Sequence, residues 1–205
     1  TGEQGGIIPY NTDVIKEVNL ATMSYGHGIA VTPIQLINAV SAIGNGGNLM
    51  KPRLVSQLID SEGNVVVTNE PEIKRQVISK TTSDAMLNMM ESVVSKGTGK
   101  NAYVPGYKVA GKTGTAQKII DGRYAPGKYI GSFIAVAPAD NPQISVLVIV
   151  DEPVGIYYGG SVAAPVAGKI IEETLSYLEV KPEFTEEEKE QFEYMVKVPD
   201  VRNKK

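Results

Sequence analysis

Three strand-forming segments between Tyr107 and Val150 constrain this chain more than any other feature. Tyr107 to Ile120, Tyr129 to Ala137 and Gln143 to Val150 each read as a strand, and the last is apolar almost throughout. Pro138-Ala-Asp-Asn-Pro142 separates the second from the third and is short enough for an antiparallel, hairpin-like connection.

Helices and turns surround this core. Thr32 is an N-cap with Pro33 at the first helical position and Gln35 completing a capping box. Ile34, Ile37, Val40 and Ile43 form one apolar face, and Gly44 stops the helix. Arg53 to Ile59 and Val65 to Thr68 alternate as two strands joined by Asp60-Ser-Glu-Gly63-Asn. A second helix is expected from an N-cap at Thr81, with Asp84 reaching back, to about Ser95; its Met86, Met89, Met90 and Val93 read as core packing. A third runs from near Ala163 to Leu178 with Val166, Ile170 and Leu178 along one side. Beyond Lys181-Pro182, Thr185-Glu-Glu-Glu188 is another capping box, opening an acidic helix that reads as a solvated linker over 179–195, with Phe192 on one face. Asp151 and Glu152 are adjacent on a strand, point to opposite faces, and do not read as a shared acid pair.

Two chemistries claim Val109-Ala-Gly-Lys112-Thr113-Gly114-Thr115-Ala-Gln117. Gly106 to Thr113 matches the phosphate-cradling P-loop pattern, with Asp151-Glu152 after an apolar strand as the metal-binding carboxylates. A P-loop needs a strand, a turn and then a helix whose free N–H groups hold phosphate. Tyr107-Lys-Val-Ala110 are not turn formers, Gly114 interrupts any following helix, and Asp121-Gly122 closes the segment with a turn signal. Read forwards, Lys112-Thr113-Gly114-Thr115 is the Lys-Thr-Gly motif of active-site serine penicillin-binding proteins and β-lactamases. Such a strand needs a cation (Lys112), hydroxyls (Thr113, Thr115), a bare glycine that lets a peptide lie close (Gly114) and a backbone N–H just beyond it for an oxyanion. The ordinary alternative is a strand with an exposed lysine and two threonines.

The surroundings favour the second chemistry. Ala21-Thr-Met-Ser-Tyr-Gly26-His27-Gly28-Ile-Ala-Val-Thr32-Pro33, Asn45-Gly-Gly47 with Lys51-Pro52, Gly97-Thr98-Gly99 and Gly159-Gly160-Ser-Val-Ala-Ala-Pro165 stand in order ahead of and behind the motif. From about Gly2 to Leu178 the chain resembles class B penicillin-binding proteins, and within them the sporulation-specific transpeptidases. Val196-Lys-Val-Pro-Asp-Val201 resembles the first strand of a PASTA repeat, the small module that follows the domain in some relatives.

That resemblance implies an α+β fold, an antiparallel five-stranded sheet flanked by helices on both faces, with the Lys-Thr-Gly strand at the active-site edge and the sheet incomplete on its N-terminal side. Its two N-terminal strands would precede Thr1 and cover the apolar edge of Gln143 to Val150, so the isolated chain is expected to pair with itself or aggregate; a well-behaved monomer at high concentration in sedimentation would count against that expectation. It divides the chain into the C-terminal part of a transpeptidase domain (1–178), a linker helix (179–195) and the start of a PASTA-like repeat (196–205). It implies D,D-transpeptidation of peptidoglycan stem peptides and acylation by β-lactams. Lys112 and Thr115 would take catalytic roles, and Thr113, Gly114, Thr115 and Gln117 would bind substrate. No serine here has Lys three residues on or Asn two residues on, so the family's Ser-x-x-Lys and Ser-x-Asn motifs are absent. The nucleophile is expected in a preceding N-terminal part of the same domain, and this chain alone is expected to be inactive. A non-catalytic module that binds muropeptide or protein remains the alternative. Where relatives often carry Gln, this chain has His27, which reads as a structural hydrogen-bonding residue.

Composition limits the remaining possibilities. With 42% apolar and 21% charged residues the chain can bury a substantial core. A net charge of −3 without a basic cluster gives no reason to expect nucleic acid as a partner. With no cysteine and a single histidine, no disulfide framework or common zinc site is expected, and no cofactor or metal. No apolar stretch is long enough to span a bilayer. The resemblance places the protein at the extracytoplasmic face of a bacterial membrane, held by an anchor outside this chain.

Overall fold

The computed structural model describes residues 5–6, 15–26, 28–120 and 123–197. His27, the Asp121-Gly122 turn signal and residues 198–205 lie outside the described residues, as does the side chain of Phe192. A short helix α1 (Glu17–Met23) precedes α2 (Pro33–Gly44). The Thr32 hydroxyl accepts the Gln35 N–H while the Gln35 side chain accepts the Thr32 N–H, so the expected capping box is present. Four short strands follow: β1 (Asn48–Met50), β2 (Gln57–Ile59), β3 (Val65–Thr68) and β4 (Ile73–Gln76). They form two antiparallel pairs, β1 with β4 and β2 with β3. The first expected strand thus starts at Gln57, not Arg53, and β1 and β4 carry too few residues to show a period-2 signal.

The main sheet holds the three strands expected in this region, the second starting at Arg123 and not Tyr129. β5 (Ala110–Ile120), β6 (Arg123–Ala137) and β7 (Ile144–Asp151) pair antiparallel in that order, with Thr113 opposite Phe133 and Phe133 opposite Val148. Both β5 and β7 are edges of this sheet among the described residues. Tyr107, expected to begin β5, instead makes an isolated bridge with Val104. The continuous strand from Ala110 to Ile120 removes the P-loop reading, because the helix that would receive phosphate does not exist.

Helices cover both faces. Helix α3 (Lys80–Ser95) is capped by Ser79, whose side chain accepts the Thr82 N–H; Thr81 sits inside the first turn, and Asp84 pairs with Lys80 at 2.7 Å. The expected cap is therefore two residues late, in a Ser-Lys-Thr-Thr run that offers several capping hydroxyls. The buried face of α3 is Ser83, Leu87, Met90 and Val94; of the residues expected in the core Met90 is buried and Met89 is 62% exposed, so the core stripe only partly follows the methionines. Leu87 and Met90 meet Ala110 and Val136, with Val40 and Ile43 of α2 alongside. Ser83 donates to the Ile43 carbonyl and ties the two helices together.

On the opposite face, Phe133, Ala135 and Ala137 alternate with those residues and meet α5 (Ala164–Tyr177), which follows the one-turn α4 (Gly159–Val162). The buried residues of α5 are Ala164, Ala167, Gly168, Ile171 and Leu175. Val166, Ile170 and Leu178, expected along one side, are 48%, 41% and 48% exposed, so the buried side is the one that carries Ile171 and Leu175. Small residues complete that side, Gly168 lying against the backbone of Ala102.

A groove of about 1060 Å³ between α2, Pro52–Leu54 and the start of β7 is lined by Ile34, Ile37, Met50, Val136 and Ile144, and no residue of β5 reaches it. It adjoins the open edge of β7, not the Lys-Thr-Gly strand. No helix among the described residues is long and apolar enough to cross a membrane.

The acidic tail helix α6 (Glu186–Lys197) is anchored where a solvated linker was expected. It takes in Val196 and Lys197, the first two residues of the expected PASTA-like strand. Glu188 completes the Thr185 capping box, accepting the Thr185 N–H at 2.6 Å. The same carboxylate accepts the Gly106 N–H at 2.9 Å and the Tyr103 hydroxyl, and Glu188 is only 9% exposed. Burial pushes its pKa up, but these hydrogen bonds outweigh burial and bring it down to about 2. Tyr103 is pushed up to about 12, first by burial and then by its bond to Glu188. A folded value below the unfolded one stabilises the fold above the ordinary carboxylate range, and that stability is lost as pH falls from about 4.3 toward 2. Glu188→Gln is expected to cost about 1–3 kcal/mol near neutrality and to flatten the acid limb of stability against pH. Denaturant unfolding across pH 2–7 checks both, and an unchanged acid limb would remove Glu188 as its source.

Candidate active site

The Lys-Thr-Gly residues sit on an edge strand, where side chains from both faces border one open lip. Alternation sends Lys112, Gly114 and Ala116 to one face and Thr113, Thr115 and Gln117 to the other. Lys112 is exposed, and its ammonium donates to the neighbouring Thr113 carbonyl at 2.7 Å. It forms no ion pair among the described residues, which leaves its charge available to a ligand.

Both threonine hydroxyls are already held from one side. Thr113 Oγ1 lies 3.2 Å from Thr98 Oγ1, on the loop after α3. Thr115 Oγ1 accepts the Gly159 N–H at 3.1 Å, from the start of α4. A hydroxyl that accepts from the protein keeps its own proton for another acceptor. Thr115 therefore offers a donor along the β5 edge, and Thr113 offers a second when Thr98 is the donor of their shared bond, a pair suited to a carboxylate.

Gly114 is glycine for a reason the sequence does not display. A Cβ there would lie 2.3 Å from Ser132 Oγ on β6, so the side chain of the neighbouring strand borders the space that the glycine leaves. The strand's outer edge is what remains for a peptide to pair with. Gln117 is also engaged within the fold, its side-chain nitrogen donating to the Ala125 carbonyl at 2.9 Å. The structure thus brings Lys112, Thr113 and Thr115 to one lip and turns the Gln117 amide back onto β6.

Asn101, Ser132 and a cluster of three tyrosines escape the sequence reading. Asn101 donates to the Gly160 carbonyl at 2.8 Å, and Ser132 lies under Gly114. Tyr129 stacks on Tyr157 at 4.0 Å, with Tyr158 tilted beside it, next to the turn that carries Gly159. The Tyr157 hydroxyl is pushed up to about 12, first by its hydrogen bond to Tyr158. The Tyr-Tyr-Gly-Gly run is a visible signal for this aromatic cluster; nothing in the sequence singles out Asn101 or Ser132.

Adjacent Asp151 and Glu152 do meet on one partner, contrary to the strand rule. Glu152 has a φ of 48° and leaves the strand, so Lys118 reaches it at 2.9 Å and Asp151 at 3.0 Å. Lys128 closes the cluster onto Glu152 at 3.0 Å. Ion pairing of both carboxylates with lysines marks a structural charge cluster, not an acid pair.

Comparison with known proteins decides the family. Residues 1–172 match the model of the penicillin binding protein transpeptidase domain. The chain belongs to the penicillin-binding protein transpeptidase family. Stage V sporulation protein D of Bacillus subtilis is 47% identical over 190 residues, covering 92% of this chain and 29% of that protein. A peptidoglycan D,D-transpeptidase FtsI homolog of Mesostigma viride is 34% identical, covering 80% of this chain and 30% of that one. Among solved structures, penicillin-binding protein 3 of Mycobacterium tuberculosis complexed with ampicillin superimposes with a TM-score of 0.81 at 30% identity, over 89% of this chain and 42% of that chain. The TP domain of Burkholderia pseudomallei penicillin-binding protein 3 gives a TM-score of 0.74 at 38% identity, over 90% and 54%. This chain spans 29% and 30% of the length of the two relatives matched by sequence, and its α+β fold, an antiparallel sheet between helical layers, is that of the solved transpeptidase domains.

Proposed function

We propose that this chain supplies the Lys-Thr-Gly wall of a peptidoglycan D,D-transpeptidase that works through a serine acyl-enzyme. The observation that carries the reading is an edge strand presenting an exposed ammonium and two threonine hydroxyls able to donate, in a member of a family with β-lactam-bound structures.

In this reading a serine contributed from outside residues 1–205 attacks the penultimate D-alanine carbonyl of a stem peptide. The carbonyl carbon gains the serine oxygen and the peptide bond to the terminal D-alanine breaks, with the serine proton delivered to the departing amine. A second stem-peptide amine then takes the acyl group, which forms the cross-link and returns the proton to the serine. Lys112 places positive charge beside the reacting centre. Thr113 and Thr115 donate to the terminal carboxylate, and the Thr115 N–H supports the oxyanion, an interaction worth about 3 kcal/mol in analogous sites. The peptide pairs with the outer edge of β5 beside Gly114, and Gln117 borders it through its remaining side-chain oxygen.

β-Lactams acylate the same serine because they imitate the D-alanyl-D-alanine end. The likeness to stage V sporulation protein D supports a place in spore cortex or cell-wall synthesis, at the extracytoplasmic face of a bacterial membrane. Residues 198–205 are proposed to open a PASTA-like module after α6. The test is D-alanine release from a stem pentapeptide by the full-length protein, with an acceptor amine present. Release that is blocked by penicillin and strongly reduced by Thr113→Val supports the reading. Binding of the peptide without release supports a non-catalytic muropeptide-binding module instead.

A further inference from the structure

The loop after α3, the start of α4 and strand β5 meet at four hydrogen-bonding groups. Asn101 Nδ2 donates to the Gly160 carbonyl, and one residue earlier the Gly159 N–H donates to Thr115 Oγ1. Contact with the sheet is close on both sides of this turn. A Cβ on Gly160 would come within 2.5 Å of the Thr98 carbonyl, and one on Gly159 within 2.1 Å of the Ser132 carbonyl. The turn is wedged between the loop and the sheet, and the Asn101 amide is the side-chain bond that fastens it to the loop.

A threonine hydroxyl can rotate, and its proton goes wherever the best acceptor lies. On an exposed strand that freedom has to be lost when a ligand binds, which weakens binding. Here the Gly159 N–H occupies a lone pair of Thr115 and so limits where its proton can point.

We infer that Asn101 is a positioning residue for this site: by holding the Gly160 carbonyl it keeps the Gly159 N–H on Thr115 Oγ1, and so aims the Thr115 proton at a ligand carboxylate on the β5 edge. The inference rests on the transpeptidase reading for its ligand, but the hold on the turn is a separate, measurable property. Asn101 acts through Thr115, so its contribution depends on the Thr115 hydroxyl being present.

The test uses the full-length protein and a fluorescent penicillin, with acylation resolved into its binding and covalent steps. Asn101→Ala is expected to lower k2/K about tenfold, as loss of one hydrogen bond's alignment would, with the change in K rather than k2. Asn101→Asp, of nearly the same size, turns a donor into an anion facing a carbonyl and is expected to lose more. In a Thr115→Val background, Asn101→Ala should add less than about twofold, because the two residues form one unit. Equal losses in both backgrounds, no loss in either, or a loss confined to k2 would overturn the inference. Hydrogen exchange of the peptide spanning Gly159 should quicken in Asn101→Ala, and unchanged exchange would also overturn it. A parent protein that penicillin does not acylate would sink the transpeptidase reading and this role with it, while the exchange result alone would then report whether Asn101 holds the turn.

Discussion

Lys112→Ala in the full-length protein is expected to slow penicillin acylation by about 10²–10³-fold, the scale of removing a positioned charge or donor from a reacting centre. The thermal midpoint should stay within about 2 °C, because Lys112 is exposed and its hydrogen bond goes to the carbonyl of its own neighbour. Function and stability separate at this position because the side chain does nothing for the fold. Stopped-flow acylation together with a thermal melt reads both quantities. Acylation within about threefold of the parent would remove Lys112 from the chemistry, and a large drop in the midpoint would make it a structural residue.

Gly159→Ala should do the opposite and damage both. An added Cβ would sit 2.1 Å from the Ser132 carbonyl and 2.3 Å from the Gly114 carbonyl, and both are backbone atoms of paired strands, β6 and β5. Neither can move aside as a side-chain tip would, so the α4 turn has to lift off the strand. Lifting breaks the Gly159 N–H bond to Thr115 and strains the contact of Gly160 with Thr98. Overpacking of this kind costs about 1–3 kcal/mol, occasionally more, and the displaced turn should reduce acylation at least as much as loss of the Thr115 hydroxyl. A folded, normally stable Gly159→Ala protein would show that the turn is looser than these distances require. In that event Gly159 is not a fixed support for Thr115.

Patterns that depend on neighbours in sequence are legible from the residues alone. The Thr32-Pro33-Gln35 and Thr185-Glu188 boxes are local hydrogen-bond motifs, and both form. The three strands of the main sheet and their antiparallel order follow from apolar runs and a short Pro-bounded connection. The Lys-Thr-Gly strand is legible as a motif because its chemistry needs particular side chains close together.

What is not legible depends on contacts distant in sequence. The buried face of α5 combines Ile171 and Leu175 with Ala164, Ala167 and Gly168, the last set close against Ala102, and small residues carry little hydrophobic signal. Glu188 reads as a solvated tail residue, yet Tyr103 and Gly106, far back in the chain, bind it. Asp151 and Glu152 obey strand alternation only while the strand continues, and a positive φ at Glu152 ends it. Gly114 reads as an opening for a ligand, and its cross-strand partner Ser132, whose Oγ borders the same space, is visible only once the strands are paired. Asn101 carries no motif at all, and its place is set by the fold that brings the loop after α3 against α4.

The central claim is that residues 1–205 hold one wall of an acyl-transfer site whose nucleophile comes from elsewhere in the same protein. Intact-mass analysis after incubation with penicillin, on the full-length protein and on this chain alone, tests it most directly. The account predicts a single penicillin adduct on the full-length protein, mapped to a serine outside residues 1–205, and none on the isolated chain. An adduct on the isolated chain, or none on the full-length protein, would contradict it.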